Sequence, residues 1–263
     1  MLAVIGAING VAPVAAPVIG GLLTGSVGWQ GIFMILLFIG ILLGIGCIRF
    51  KESLPAEKRS KTGVWATFRS FGIIVHNRRY MLYVFQLAFA QGILFAYIAS
   101  SPFIIQQHYG FSPFAFSICF AVNAVAIGVA AALSVKFRRT ENGTLTGCVG
   151  MLVFAVLQMA ALYSGCGFWT YELLMFALLF MMGLTFTAST TLAMDCERRY
   201  AGAASALLGA LCFASGGIVS PLVGLGDILI STGVTFVICA VCSLLCALWA
   251  VKRTGPKVAL CRI

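Results

Sequence analysis

Apolar positions in this chain fall in long, nearly unbroken blocks, and polar positions are confined to the short stretches between them. Eight blocks stand out, at about 3–23, 29–49, 80–101, 113–135, 144–164, 169–194, 201–223 and 228–251. A bilayer's hydrocarbon core is roughly 30 Å thick and a helix rises about 1.5 Å per residue, so about 20 apolar residues cross it. Each block meets that length. None shows the two-residue alternation of a membrane β-strand, and all are too long for one. The first block has no basic residue ahead of it and exceeds the apolar core of a cleaved signal peptide. The pattern predicts an all-α polytopic membrane protein.

Composition agrees. Apolar residues make up 61% of the 263 and charged residues only 9%, with a mean hydropathy of +1.06. A soluble chain of this size has too little interior to hide that much apolar surface. The net charge of +10 would suit a nucleic-acid partner, but its distribution argues against one. All 17 Lys and Arg lie in alternate connections: 49–79, 136–139, 198–199 and the tail from Lys252. The intervening connections, 24–28, 102–112, 165–168 and 224–227, carry none. Basic residues are retained on the cytoplasmic side, so both termini are expected inside. The charge is topology, and no nucleic acid is expected as a partner.

The connection at 50–79 is the only long one. It opens with the solvated linker KESLPAEKRSK, and then places Trp65, Phe68, Gly72 and Val75 at helical spacing, which predicts a helix on the inner membrane surface. The chain thus divides into 1–49 (two spans), 50–79 (a basic central loop), 80–251 (six spans) and a tail, 252–263. The two spans have an internal echo. APVIGG at 16–21 matches SPLVGL at 220–225, with Pro17 on Pro221 and Gly20 on Gly224. Each stretch is expected to end its span at the outer side, before a short turn and a last helix. Parallel repeats of this kind build many transporters. Counterparts of the spans between 80 and 194 would then lie upstream of Met1, or be supplied by a partner.

These residues carry a family resemblance. APVAAPVIGG (12–21) resembles the antiporter motif on the fifth helix of the Bcr/CflA drug-resistance branch of the major facilitator superfamily, with Pro17, Gly20 and Gly21 on its proline and glycine pair. Ala16 stands where many drug antiporters have glycine. WQGIF (29–33), ESLP (52–55), ASSPFIIQQHYGFSP (99–113), FAVNA (120–124) and AGAASALLGAL (201–211) resemble the stretches that follow in that branch. The resemblance implies eight of twelve helices of that fold, and bacterial inner-membrane efflux of small amphipathic, drug-like compounds in exchange for protons. No cofactor is implied beyond the proton gradient.

Candidate chemistry is sparse. Pro13 and Pro17 remove two amide donors and should bend the first span, while Gly20 and Gly21 offer a flat face for a neighbouring helix. Tyr83, Gln86, Gln91 and Tyr97 on the third span, and Asn123 on the fourth, are polar groups at membrane depth. They either orient a ligand in a cavity or bond one helix to another. Phe95, Met181, Met182 and Phe186 are either an adaptable apolar wall or plain packing. Proton coupling needs an ionisable group inside the membrane. All seven carboxylates (Glu52, Glu57, Glu141, Glu172, Asp195, Glu197 and Asp227) fall in connections or at span ends. The resemblance places the coupling carboxylate on the family's first helix, upstream of Met1. Glu172 is the best candidate within the chain, although a glutamate at the interface is ordinarily just solvated. Cys239, Cys242 and Cys246 share a helical face but suit apolar packing better than a metal, and the ten cysteines form no disulfide framework. The two histidines, His76 and His108, lie on opposite sides, and no nucleophile, acid and base cluster together. An enzyme is not expected.

Overall fold

The computed structural model describes residues 2–50, 71–134, 136, 137 and 139–252, and the backbone alone at 2–18 and 24. Every regular element among them is helical. In chain order these are α1 (Leu2–Arg49), α2 (Arg78–Pro102, prolonged by a π-helical turn over Phe103–His108), α3 (Pro113–Ser134), α4 (Thr140–Tyr163), α5 (Phe168–Cys196), α6 (Ala201–Leu222) and α7 (Ile228–Lys252). Seven helical stretches among the described residues are long and apolar enough to cross a membrane, beginning with Gly25–Arg49.

Helix starts follow capping chemistry. Asn77 accepts the Tyr80 amide at 3.2 Å and opens α2. Ser112 accepts the Ala115 amide at 3.2 Å ahead of Pro113, the N-terminal residue whose missing N–H costs the helix nothing. Asp227 accepts the amides of Leu229 and Ile230 at 2.8 and 3.2 Å and opens α7.

Packing centres on α2, which lies against α5, α6 and α7; α5 also packs on α3 and α4, and α4 on α7. The hydrogen bonds fix the helix directions. Tyr80, near the start of α2, donates to the carbonyl of Ala204 near the start of α6 at 2.6 Å, and Asn77 reaches Glu197 just beyond the end of α5. These residues share one end of the bundle with Arg78, Arg79, Arg198 and Arg199, the basic end. At the other end, Ile104, Ile105, Leu162 and Tyr171 cluster with Tyr109, Phe116, Phe168 and Leu229. Tyr163 and Trp169 project there with 82% and 80% of their surface exposed, as aromatic side chains do at a membrane boundary.

Without water to drive apolar surfaces together, membrane helices associate through close packing at small residues. A Cβ on Gly183 of α5 would lie 2.5 Å from the Ile127 carbonyl oxygen of α3, and one on Gly147 of α4 would lie 2.8 Å from the Thr185 amide of α5. Gly92 of α2 receives Cys239 Sγ and a Val219 methyl at 3.2 and 3.3 Å from the same position. Cys239 is thus a small packing group, and no cluster of three metal-ligating residues forms among the described residues.

The structure departs from expectation at 24–28. Helical backbone runs from Leu2 to Arg49 with a single interruption at Gly28 (φ 65°, ψ −178°). That combination is open in practice only to glycine, so one residue does the work expected of five. The two similar proline stretches therefore differ. Residues 16–21 are interior to α1, whereas Pro221 is in the last turn of α6, with the Gly224 amide on the Pro221 carbonyl at 3.1 Å and Gly226 turning the chain at φ 88°. Beyond Gly28 the helix stands free of the bundle, with Phe33, Phe38, Leu43 and Ile48 all exposed. Of the central connection, 71–76 is helical and Ile74 is fully buried beside Tyr80 and Tyr83; Trp65 and Phe68 lie outside the described residues.

Candidate functional site

The polar side chains of the bundle fall at successive levels from the basic end. The first joins the ends of α2, α5 and α6. The Asn77 amide donates to Glu197 Oε1 at 2.6 Å, and the Arg79 guanidinium lies 5.9 Å from the Tyr83 ring centre. Tyr83 is fully buried here, at the end of the bundle rather than near its middle.

A second level lies about 12 Å along α2 by its rise per residue. Gln86 Nε2 donates to Thr185 Oγ1 and Ser243 Oγ, each at 3.2 Å, and approaches Cys148 Sγ at 3.5 Å. Ser243 donates back to the Gln86 carbonyl at 3.1 Å, and Thr185 donates to the Thr144 carbonyl at 3.2 Å. All these residues are fully buried, so one amide ties α2 to α5 and α7 and touches α4. Sequence reasoning missed its partners because single Thr, Ser and Cys residues hardly interrupt an apolar block. The available signal was spacing: Thr144 and Cys148, and Thr185 and Ser189, are four apart on facing helices, and Thr144 and Ser189 meet at 3.1 Å. Gln158, also overlooked, is fully buried with neither amide atom hydrogen-bonded.

The third level is where ionisable chemistry enters. Asn123, halfway along α3 and 1% exposed, donates through Nδ2 to Tyr97 Oη at 3.0 Å and to Glu172 Oε1 at 2.8 Å. Phe120 stacks on the Tyr97 ring with centres 5.4 Å apart and planes 18° apart. Glu172 sits one turn into α5, partly buried, and its Oε2 is shielded from solvent without a hydrogen-bond partner, as is Asn123 Oδ1. The glutamate is therefore drawn inward between three helices instead of lying solvated at the boundary. Two of the five cavity candidates meet the best carboxylate candidate here. Gln91 does not join them; it is half-buried on a different face of α2.

Aromatic rings close the bundle beyond this level. Tyr109 packs against Phe168 and Tyr171 with centres 5.7 and 5.8 Å away, and Phe111 against Phe168 at 4.3 Å. The Tyr109 hydroxyl donates to the Cys166 carbonyl at 2.9 Å; burial and the adjacent Cys166 thiol push that phenol up, so it stays a neutral donor. Of the apolar wall candidates, Phe95 fills the notch above Gly216, Met181 that above Gly150, and Met182 is buried; Phe186 remains half-buried.

The proline–glycine motif lies on α1, the helix that packs on α3. The side chains of Pro13 and Pro17 lie outside the described residues. A Cβ on Gly21 would overlap Ser117 Oγ of α3, so the two helices touch there with no room for a methyl group. A Cβ on Gly20 would meet nothing within 4 Å.

Bilayer-length helices joined by short connections, with their amides and one carboxylate turned inward, define a multi-pass helical membrane protein. The chain belongs to the Major Facilitator Superfamily, whose sequence model matches residues 1–221. Its relatives include an uncharacterized MFS-type transporter, YdgK, of Bacillus subtilis, 37% identical over 227 residues that make up 84% of this chain and 56% of the relative. A bicyclomycin resistance protein homolog of Haemophilus influenzae is 28% identical over 226 residues, 81% of this chain and 54% of that protein. The multidrug transporter MdfA of Edwardsiella ictaluri is 26% identical over 104 residues, 40% of this chain and 25% of that protein. The chain spans about half the length of the first two.

Proposed function

We propose that this chain is the second, larger part of a drug-efflux transporter of the Bcr/CflA type, exchanging protons for small amphipathic compounds across a bacterial inner membrane, with both ends of the chain cytoplasmic. The observation that carries the reading is the buried Tyr97–Asn123–Glu172 group, a polar and ionisable site inside a bundle otherwise sealed by small residues and aromatic rings. Superfamily membership supports transport over catalysis. The names of two relatives support drug-like substrates. The confinement of Lys and Arg to alternate connections supports the orientation. A second reading, that the chain inserts but does not pump, is favoured by the placement of all seven carboxylates in connections or at span ends.

The test is accumulation of a fluorescent cationic dye in cells stripped of their own efflux pumps. The chain is expressed as it stands, and also joined to any in-frame coding sequence found upstream of Met1. Lowered accumulation that an uncoupler restores is the expected result for efflux. Unchanged accumulation in both forms would leave the non-pumping reading.

A further inference from the structure

We infer that Glu172, held by Asn123 inside the bundle, is a reversible proton-binding site within this chain. The site is built from three helices. Among the described residues Asn123 of α3 alone donates a hydrogen bond to the carboxyl group, at 2.8 Å to Oε1, and Tyr97 of α2 shares the same amide nitrogen. Two acceptors are left over: Glu172 Oε2 and Asn123 Oδ1 are both shielded from solvent and both without a partner. An ionised carboxylate with one donor is badly served away from water, because a buried charge needs partners to offset its lost hydration. A proton on the carboxyl removes the charge and supplies the donor that the two idle acceptors lack.

Among the described residues no cation pairs with the carboxylate. The groups that face Glu172 are Tyr97 from α2, Asn123 and Cys119 from α3, and Tyr171 on its own helix. On α4 the ionisable residues are Glu141, at the basic end, Cys148, at the level of Gln86, and Tyr163, turned outward. The one ion pair among the described residues, Asp195–Arg198, lies at the opposite end of α5. Phe120 stacks on Tyr97, and Tyr109 packs on Phe168 towards the nearer end of the bundle. Because Glu172 Oε2 is shielded from solvent, exchange of a proton on it with water requires the groups around it to move, which ties protonation to conformation. The proton comes from water on one side and returns to water when the site is next exposed, with no further reactant. As a coupling site this rests on the transport reading; as a proton site it does not.

The test uses the whole chain in proteoliposomes and dicyclohexylcarbodiimide, which modifies protonated carboxyl groups in apolar surroundings. Peptide mapping by mass spectrometry compares all seven carboxylates across a pH series. Glu172 is expected to be labelled well above Glu141, Asp195, Glu197 and Asp227, with labelling lost as pH rises. Removing its donor by Asn123→Leu should shift the midpoint of that loss to higher pH, because the hydrogen bond favours the ionised form. A purely structural role for Asn123 would leave the midpoint in place, and that result would overturn the pairing. Labelling of Glu172 no stronger than that of the other six at any pH would overturn the site. Labelling without uncoupler-sensitive efflux would keep the proton site and remove coupling; efflux without labelling would overturn the site and leave the transport reading standing.

Discussion

Gln86 and Asn123 are both amides buried at membrane depth, yet their surroundings assign them different work. Gln86 is one member of a network whose other members are already satisfied: Thr185 by the Thr144 carbonyl and Ser243 by a backbone carbonyl of α2. Gln86→Leu should therefore cost no more than about 2 kcal/mol, the upper range for such bonds between membrane helices, and should leave efflux near wild type. A small fall in the melting temperature of purified protein is the reading expected; a collapse of folding would show the network to be essential. Glu172→Gln keeps the shape and one acceptor but cannot exchange a proton. It should yield folded protein that binds dye and has lost uncoupler-sensitive efflux; retained efflux would place coupling elsewhere. Tyr97 and Asn123 were visible in the sequence as polar residues at membrane depth, and Glu172 as a carboxylate at a span end, where solvation was expected. Their meeting was not, because the partners are 26 and 49 residues apart on separate helices. Hydropathy locates spans but does not say which faces meet.

At the scale of the helix, span limits were legible to within a few residues, because bilayer thickness dictates them. The bend in α1 was not. A five-residue connection was expected, but Gly28 adopts a backbone conformation that lets helix resume at once. Gly28→Ala should cost about 1–3 kcal/mol through backbone strain alone, since a Cβ there would meet no neighbour within 4 Å. The crossing of α3 and α5 gives a sharper contrast. Gly183→Ala drives a methyl group into the Ile127 carbonyl and should destabilise by about 1–3 kcal/mol, because backbone cannot rotate aside. Gly128→Ala, one residue after Ile127, meets open space and should be close to neutral or slightly stabilising. Thermal unfolding of the two variants side by side checks the pair. Equal effects would show that the α3–α5 approach is looser than described.

At the scale of the molecule, the six helices from α2 to α7 form one packed body, and α1 meets that body along α3. One close approach is Gly21 on Ser117, at the proline–glycine stretch that the sequence singled out. A Cβ on Gly21 would lie 2.9 Å from Ser117 Cβ, short of a disulfide's ~3.8 Å. Gly21→Cys combined with Ser117→Cys should therefore cross-link on mild oxidation once the helices ease apart by about 1 Å, with the bridged peptides identified by mass spectrometry. If alternating access separates α1 from α3, the bridge should stop efflux and reduction should restore it. Efflux that persists in the bridged protein would show that α1 and α3 move together. Pro17→Leu, in the same stretch, should lower efflux as well.

The placement of the indole rings has an optical consequence. Trp29 and Trp169 emerge at one end of the bundle and Trp249 near the other, each more than 60% exposed. With the fourth tryptophan, Trp65, replaced by Phe, these three should glow from two thin planes near the lipid headgroups and leave the bilayer centre dark. Lipids brominated high on their chains should dim that emission more than lipids brominated at the tips. A water-soluble quencher added outside sealed vesicles of uniform orientation would reach one plane and spare the other. Single removal of Trp249 would then report, from the fraction of light lost, which end of the protein faces out.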